Sequence, residues 1–293
     1  MREPVKPTFL YVGAAKSGSS WIFECLREHP QIFVPVAKDL KYFDQQYSHG
    51  RSFDRYLRHF GPGRGKLAVG ELSHDYFCRE EYAERILRHL PDVRIIFCLR
   101  EPADQVNSSF NFSSQHQLKK RGIWHFYEYH VLQRGKMPYL QNLRYFFERF
   151  PREGILVLFY EEIRTQPEAS VERLYRFLGV DSRFRPLVLF QRVNPARISR
   201  FNWWTHRGFY LLAQRLRRLG LEDLVGRLKR DPRIVSAFFA VGKQSGAYQI
   251  DPVQLERIRA HASRDYREIE CLIGRPLPPE WWNSAGITTP ASA

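Results

Sequence analysis

The stretch Thr8-Phe-Leu-Tyr-Val-Gly-Ala-Ala-Lys-Ser-Gly-Ser-Ser-Trp21 decides the fold, because it joins a strand to a helix through a loop of small residues. Phe9 to Val12 is a short apolar run with the length and residue types of a buried strand. Gly13 and Gly18 bracket the loop, and the residues from Trp21 to Leu26 predict a helix. In such a unit the loop N–H groups and the helix N-terminus point at one site, which favours binding of a phosphate.

The spacing of the two glycines is that of a P-loop, but the lysine is displaced. The P-loop pattern G-x-x-x-x-G-K-[ST] uses its lysine on the β- and γ-phosphates and its hydroxyl on Mg²⁺. Here Ser19 stands where that lysine belongs, and Lys16 lies inside the loop. This suits a phosphate whose transferring group carries less charge than a γ-phosphoryl. The alternative is a strand-to-helix turn without a ligand.

Residues Gly13 to Trp21 resemble the 5′-phosphosulfate loop of sulfotransferases that use 3′-phosphoadenosine 5′-phosphosulfate (PAPS), where the pattern is close to G-x-x-K-[ST]-G-[ST]-[ST]. The resemblance implies that this loop binds the donor and that its lysine is also catalytic. The donor-binding residues of the loop would be Lys16, Ser17, Gly18, Ser19, Ser20 and Trp21.

An arginine and a serine further along the chain supply the second half of such a site. Val93 to Leu99 is the strongest predicted strand, almost continuously apolar. Arg100 follows it directly, Pro102 suits the first turn of the next helix, and Ser108 lies two turns further on. In the sulfotransferases this arrangement is the 3′-phosphate site, which Arg100 would grip with both arms of its guanidinium. The alternative is an arginine that caps the strand and a solvated helical serine.

The segment from Val36 to Asp44 (VAKDLKYFD) resembles the part of the heparan sulfate N- and O-sulfotransferases that ends in a Phe-Phe-Asp-like triplet. In those enzymes an acidic residue four positions before the second aromatic is the catalytic base, and the matching residue here is Asp39. Lys41 falls where some relatives have a histidine. The resemblance therefore places Asp39 and Lys41 among the catalytic residues; the alternative is two ordinary solvated charges.

A second short strand, Leu67 to Gly70, leads into the motif ELSHDYF over residues 71–77. In the heparan sulfate sulfotransferases the motif at this position is close to Glu-Lys-Thr/Ser-x-x-Tyr-Phe, and its lysine helps at the active site. In this chain Leu72 replaces that lysine. The candidate acceptor-side residues are Glu71, Ser73, His74 and Tyr76. Glu71 and His74 also compete with Asp39 for the role of base. Residues 111–136, rich in His, Gln, Lys and aromatics, are a further candidate acceptor-binding region.

Strands alternate with helical stretches along the chain, which predicts an α/β fold: a parallel β-sheet flanked by helices, like that of P-loop NTPases and sulfotransferases. We also expect a helix from Glu80 to Leu90, a strand from Ile155 to Tyr160 and a loop-rich excursion over 45–66. The residues after that strand resemble the strand–helix unit that closes the nucleotide-binding core of the family. The expected organisation is a single sulfotransferase domain over 1–293, with a nucleotide-binding core (8–180) and a helical C-terminal part (181–293).

The C-terminal part carries basic and aromatic features. Residues 193–197 resemble a later asparagine–arginine segment of the family, which implies that Arg197 or Arg200 returns to the nucleotide. Residues 205–230 combine an apolar stripe with many arginines, and such a helix either contacts an anionic membrane surface or, more commonly, packs on the core. Residues 255–272 predict a closing helix, and Pro276 to Trp282 an aromatic anchor.

Composition narrows the classes of protein. A hydrophobic content of 43% with 15% aromatics excludes a disordered chain, and a net charge of +15 indicates an anionic partner. The 4 cysteines lie far apart with no C-x-x-C pair, so we expect buried free thiols in a reducing compartment and neither a disulfide nor a zinc site. The start of the chain has no signal-peptide h-region, and no apolar run approaches the ~20 residues of a membrane span, which predicts a soluble cytoplasmic protein.

Together these features predict a sulfotransferase that moves a sulfuryl group from PAPS, without a metal, to a hydroxyl or amine. The expected acceptor is a carbohydrate or a glycan-containing molecule such as a lipid-linked sugar, with a peptide or a small phenol as open alternatives, and no nucleic-acid partner is expected. Two other classes remain open. A P-loop kinase or NTPase would need Mg²⁺ and an aspartate ending a strand, whereas Leu99 is followed by Arg100. The second open class is a non-catalytic basic protein that binds anions, and the presence of two half-sites argues against this class.

Overall fold

The computed structural model describes residues 3–113, 116–130, 138–191, 197–199, 215, 228, 239–241 and 251–286. Within these residues, five strands form a parallel sheet in the order β2-β3-β1-β4-β5. They are β1 (Phe9–Gly13), β2 (Ile32–Phe33), β3 (Ala68–Leu72), β4 (Arg94–Leu99) and β5 (Ile155–Phe159). The predicted parallel α/β fold is confirmed.

Helices surround and connect the strands. The α-helices of the described residues are α1 (Ser19–Glu28), α2 (Phe53–Leu57), α3 (Glu80–His89), α4 (Pro102–Phe112), α5 (His116–Lys120), α6 (Ile123–Glu128), α7 (Tyr139–Phe147), α8 (Tyr160–Thr165), α9 (Pro167–Leu178), α10 (Pro252–Ala262), α11 (Tyr266–Ile273) and α12 (Pro279–Ser284). The predicted helix over residues 80–90 is confirmed by α3.

The excursion over 45–66 is more ordered than we expected. A π-helical turn (Tyr42–Gln46) leads into it, and it contains α2 followed by a 3-10 turn (Arg58–Gly63). Tyr56 and Phe60 explain this difference, because their side chains are only 3% and 0% exposed. Burial of these rings fixes a segment whose glycines and polar residues resemble those of a loop.

Alternate residues of the central strands enter two separate cores, one on each face of the sheet. On one face Leu10 and Phe97 pack with residues of α3 and α7; on the other, Tyr11 and Ile96 pack with residues of α1 and α9. β1 is buried from end to end, and β4 is buried after Arg94. Strands covered on both faces have no solvent side, which is why their sequences are continuously apolar rather than alternating.

The sheet order brings the carboxyl ends of β3, β1 and β4 together. Tyr11 of β1 lies opposite Leu72 of β3 and Ile96 of β4. The residues that follow these strands, 14–18, 73–77 and 100–101, therefore share one edge of the sheet. Open α/β sheets bind their ligands at this edge.

The predicted closing helix of the C-terminal part, over 255–272, is broken by a 3-10 turn (Ser263–Asp265) into α10 and α11, while the aromatic anchor that follows it is present. Trp281 and Trp282 are 0% and 3% exposed and pack on Tyr266, which confirms the aromatic anchor. Where we expected only helices, this part also contains a two-stranded antiparallel sheet, β6 (Arg197–Ser199) with β7 (Phe239–Val241). The predicted basic helix over 205–230 lies outside the described residues apart from positions 215 and 228.

The thiols differ in exposure. Cys25 and Cys98 are buried and Cys78 is half-buried, but Cys271 is exposed, so the expectation of a buried thiol is wrong for that residue. All four are free. Throughout the described ranges, every helix is too short or too polar to cross a bilayer.

Candidate functional site

The loop between β1 and α1 is built on a glycine that no other residue replaces easily. Gly18 caps α1 with φ +87, in the left-handed region. A Cβ added there would lie 3.3 Å from Cδ2 of Tyr160, closer than an ordinary contact. The backbone can therefore turn sharply into α1, whose first N–H groups have no partner within the helix. This geometry is compatible with the anion-binding arrangement that the sequence predicted.

Lys16 stands in this loop among other cations. Its Nζ lies 3.7 Å from the centroid of the Phe112 ring. Burial, followed by the charges of Arg100 and Lys38, lowers the pKa of Lys16 to about 8. Lys38, which the sequence analysis did not single out, donates from Nζ to Oγ of Ser19 at 2.8 Å. An anion bound here would relieve the repulsion among these cations.

Arg100 meets the same loop from the end of β4. Its Nη1 donates to the carbonyl oxygen of Lys16 at 3.3 Å, and its guanidinium carbon lies 4.5 Å from the centroid of the Tyr160 ring. Its Nη2 lies 3.9 Å from the carboxylate of Asp104. Within the described residues, the buried Nε has no hydrogen-bond partner. The two predicted half-sites, 84 residues apart in the sequence, are thus in contact.

One face of helix α4 lies along the loop. Glu101 caps the helix by accepting hydrogen bonds from the N–H groups of Ala103 and Asp104 at 3.1 and 2.7 Å. Gln105 is 1% exposed and donates from Nε2 to the carbonyl of Ala15 at 2.8 Å. Ser108 is half-buried three residues later, on the same side of the helix.

Gln105 is a site residue that the sequence analysis missed. Its Oε1 is buried and accepts no hydrogen bond from any described residue. The available signal was its position between Arg100 and Ser108, three residues before the serine. A polar side chain at that spacing shares the face that the serine occupies.

The other predicted loop residues differ in what they offer. Ser17 is buried and donates to the carbonyl of Ala15 at 3.4 Å, while Ser20 is half-buried in the first turn of α1. The Trp21 indole donates from Nε1 to the carbonyl of Leu189 at 3.1 Å and is 7% exposed, so its ring belongs to the core. The side chain of Arg197 and the whole of Arg200 lie outside the described residues.

Charged side chains from two neighbouring segments form a paired cluster next to this loop. Oδ1 of Asp39 lies 2.7 Å from Nδ1 of His74, and Nζ of Lys41 donates to Oδ2 of Asp75 at 2.9 Å. Nε2 of His74 lies 3.8 Å from Oδ1 of Asp75. Burial raises the pKa of Asp39, but the charges of His74, Lys38 and Lys41 outweigh it and bring the pKa to about 2. Burial alone would lower the pKa of Lys41, but the charge and hydrogen bond of Asp75 hold this pKa above its ordinary value.

Asp39 and Lys41 are held in a backbone conformation that few residues other than glycine adopt. Their φ angles are +61 and +59. The N–H of Asp39 donates to the carbonyl of Leu72 at 2.9 Å, and the N–H of Lys41 donates to Oγ of Ser73 at 3.3 Å. The end of β3 therefore fixes the segment that carries the predicted base.

A buried carboxylate supports this segment from below. Glu71 is 1% exposed and accepts hydrogen bonds from the hydroxyls of Tyr56, Tyr76 and Ser73 at 3.0, 2.8 and 2.9 Å. The Tyr76 hydroxyl in turn accepts from the N–H of Tyr42 at 2.8 Å. Burial raises the pKa of Glu71 to about 7, against the hydrogen bonds that lower it.

This network corrects the expected lining of the acceptor side. Glu71, Ser73 and Tyr76 are at most 1% exposed, so they lie beneath the site rather than on its surface. Of the four acceptor-side candidates, His74 is the one with substantial exposure, at 29% of its side chain. In the part of the chain that the structure describes, His, Cys, Asp and Glu side chains form no group of three that could hold a metal.

Comparisons with known proteins identify a family and several relatives of the chain. The family described as "Sulfotransferase domain" matches residues 6–194. The chain is 22% identical to heparan sulfate glucosamine 3-O-sulfotransferase 5 of Homo sapiens over 220 residues, which cover 70% of this chain and 59% of that protein. It is 26% identical to bifunctional heparan sulfate N-deacetylase/N-sulfotransferase 3 of Homo sapiens over 198 residues, 59% of this chain and 22% of that protein.

A solved structure has the same fold. The crystal structure of a sulfotransferase from Alicyclobacillus acidocaldarius aligns with a TM-score of 0.64 and 22% identity, over 94% of this chain and 99% of that one. The match spans nearly the whole of both chains, whereas the chain covers less than two thirds of the length of the two curated relatives above.

Proposed function

The chain belongs to the sulfotransferase domain family, and on that premise we propose that it transfers a sulfuryl group from PAPS to a hydroxyl or amine of a carbohydrate-containing acceptor. The observation that carries this proposal is the contact between the two half-sites, where Nη1 of Arg100 lies 3.3 Å from the carbonyl oxygen of Lys16. The matched relatives are named as heparan sulfate sulfotransferases, and these names support a carbohydrate acceptor.

The residues present fit a nucleotide that carries two phosphates. Burial, and after it the charges of Arg100 and Lys38, lowers the pKa of Lys16, and a bound polyanion would remove the repulsion among these three cations. Arg100 keeps a buried Nε without a partner among the described residues, which a phosphate oxygen would satisfy. We assign the 5′-phosphosulfate to Lys16, the loop and the start of α1, and the 3′-phosphate to Arg100 and Ser108.

The transfer needs an attacking atom, a leaving group and a proton acceptor. The acceptor oxygen attacks sulfur in line, and the bond from sulfur to the 5′-phosphate oxygen breaks. Negative charge grows on that oxygen, where the Lys16 ammonium and the N–H groups of the loop stabilise it. As in phosphoryl transfer, positioning and charge stabilisation supply most of the rate.

The proton of the acceptor passes to the pair formed by Asp39 and His74. A carboxylate with a pKa of about 2 is a weak base, so Asp39 is poorly suited to take the proton directly. Nδ1 of His74 lies 2.7 Å from Oδ1 of Asp39, although without the alignment of a hydrogen bond, and this close contact would hold the ring and leave Nε2 to receive the proton. We therefore place His74 as the base and Asp39 as its orienting partner, rather than Asp39 alone.

Thermal unfolding with nucleotides tests the donor. Adenosine 3′,5′-bisphosphate, the product left after transfer, should raise the melting temperature, and at a hundredfold excess over Kd it should add roughly 2.7 kcal/mol of stability. ATP should stabilise much less, because it lacks a 3′-phosphate for Arg100. The Arg100→Ala variant, which should bind the nucleotide more weakly, is compared with Arg58→Ala, a matched control that removes an exposed arginine outside the site. An equal shift with ATP that Mg²⁺ strengthens would instead favour a kinase or NTPase.

A further inference from the structure

Phe112 is an exposed aromatic residue that contacts the candidate catalytic lysine. Its side chain is 78% exposed at the last position of α4. Single exposed apolar residues are common on protein surfaces, so exposure alone carries little meaning. Phe112 is distinguished by its contact with Lys16, whose Nζ lies 3.7 Å from the centroid of the ring.

The position of Lys16 in the reaction brings Phe112 within reach of the acceptor. In the proposed transfer Lys16 acts on the oxygen that leaves sulfur, and the acceptor oxygen must come within bonding distance of the same sulfur. A residue in contact with the Lys16 ammonium is therefore close to the atoms that surround the acceptor hydroxyl. The Phe112 ring offers those atoms an apolar surface.

The charges on the acceptor side are already paired with one another. Asp39 lies against His74, and Lys41 donates to Asp75. Because Lys41 is engaged by a carboxylate, it is poorly placed to bind a sulfate or carboxylate of an acceptor. This surface favours an acceptor without charges next to its reactive hydroxyl.

We propose that Phe112 determines acceptor specificity by packing against an apolar group beside the reactive hydroxyl of an uncharged acceptor, such as an alkyl- or aryl-linked sugar. The inference rests on the proposed sulfuryl transfer and goes beyond it by naming the acceptor class. Lys16 meets the ring through a cation–π contact, which is weaker than a charge-assisted hydrogen bond to phosphate, so donor binding would draw the ammonium from the ring. Most of the ring surface is already exposed and available to an acceptor.

Two defined acceptors test this inference. The probes are n-octyl β-D-glucopyranoside and an unsulfated N-acetylheparosan oligosaccharide, with PAPS as donor and chromatographic detection of adenosine 3′,5′-bisphosphate. The octyl glucoside should have a kcat/KM at least about tenfold above that of the heparosan. Phe112→Ala should lower kcat/KM for the octyl glucoside by about tenfold, mainly through KM, and Phe112→Trp should restore it. Leu187→Ala, which truncates another exposed apolar side chain, should leave both values unchanged.

The affinity for adenosine 3′,5′-bisphosphate, measured by calorimetry for each variant, separates this inference from the proposed function. If the wild-type protein does not bind the nucleotide, both the proposed function and this inference are overturned. If it binds, the inference alone is overturned by a preference for the heparosan, by an unchanged preference in Phe112→Ala, or by no turnover of the octyl glucoside above donor hydrolysis. Melting temperatures exclude misfolding as the cause of any loss.

Discussion

Raising the pH from 7.5 to 9.5 should weaken the binding of adenosine 3′,5′-bisphosphate, because Lys16 loses its charge in this range. Burial and the nearby cations lower the pKa of Lys16 from 10.5 to about 8. A lowered lysine pKa means that the ammonium is fully present well below pH 8 and is lost above it. The phosphates of the ligand, with a second pKa near 6, stay ionised throughout.

The magnitude follows from the protonated fraction of the free protein. A group of pKa about 8 is about 75% protonated at pH 7.5 and about 3% protonated at pH 9.5. If only the ammonium form binds the nucleotide, Kd rises roughly 25-fold between these values. Because the bound phosphate raises the pKa of Lys16, binding at pH 9.5 should also take up nearly one proton per ligand.

Isothermal titration calorimetry in buffers of different ionisation heat measures both quantities. Lys16→Arg is the matched control, since its guanidinium stays protonated at both values, and its Kd should be nearly independent of pH. Circular dichroism at pH 9.5 verifies that the protein remains folded. A wild-type Kd that changes less than twofold, or an equal dependence in Lys16→Arg, would refute the role of Lys16 as the titrating cation.

Arg100→Ala should chiefly weaken nucleotide binding, by about 2–5 kcal/mol, because Arg100 lies largely desolvated in the site, whereas Lys16→Ala should lower kcat as well as affinity. Calorimetry and initial rates measure the two effects, and kinetically identical variants would contradict the separate roles. His74→Ala should lower kcat by ~10²–10⁴ with a hydroxyl acceptor and leave donor affinity unchanged, and Asp39→Asn should also lower kcat because the ring loses its orienting partner. A His74→Ala rate within a few-fold of wild type, with a collapsed Asp39→Asn rate, would return the role of base to Asp39.

Local sequence determined the central architecture of this protein. The apolar runs of β1, β4 and β5 predicted strands buried on both faces, because only such strands lack polar positions along their length. The glycine spacing around Lys16, and the resemblance of the step from β4 into Arg100 to a family motif, predicted the two half-sites. Each of these signals lies within a few neighbouring residues, so the sequence alone carries them.

Tertiary packing decided which of the remaining polar residues reach the surface. The motif at 71–77 presents a carboxylate, a hydroxyl and an imidazole with similar claims to face an acceptor. Tyr56, which comes from the preceding helix α2, covers Glu71. His74 instead emerges beside Asp39, a residue that lies more than thirty positions earlier in the sequence. The exposure of Phe112 and its contact with Lys16 were equally hidden, because both depend on where α4 lies against the loop. Burial and pairing are properties of contacts between distant segments, and for that reason only the folded chain revealed them.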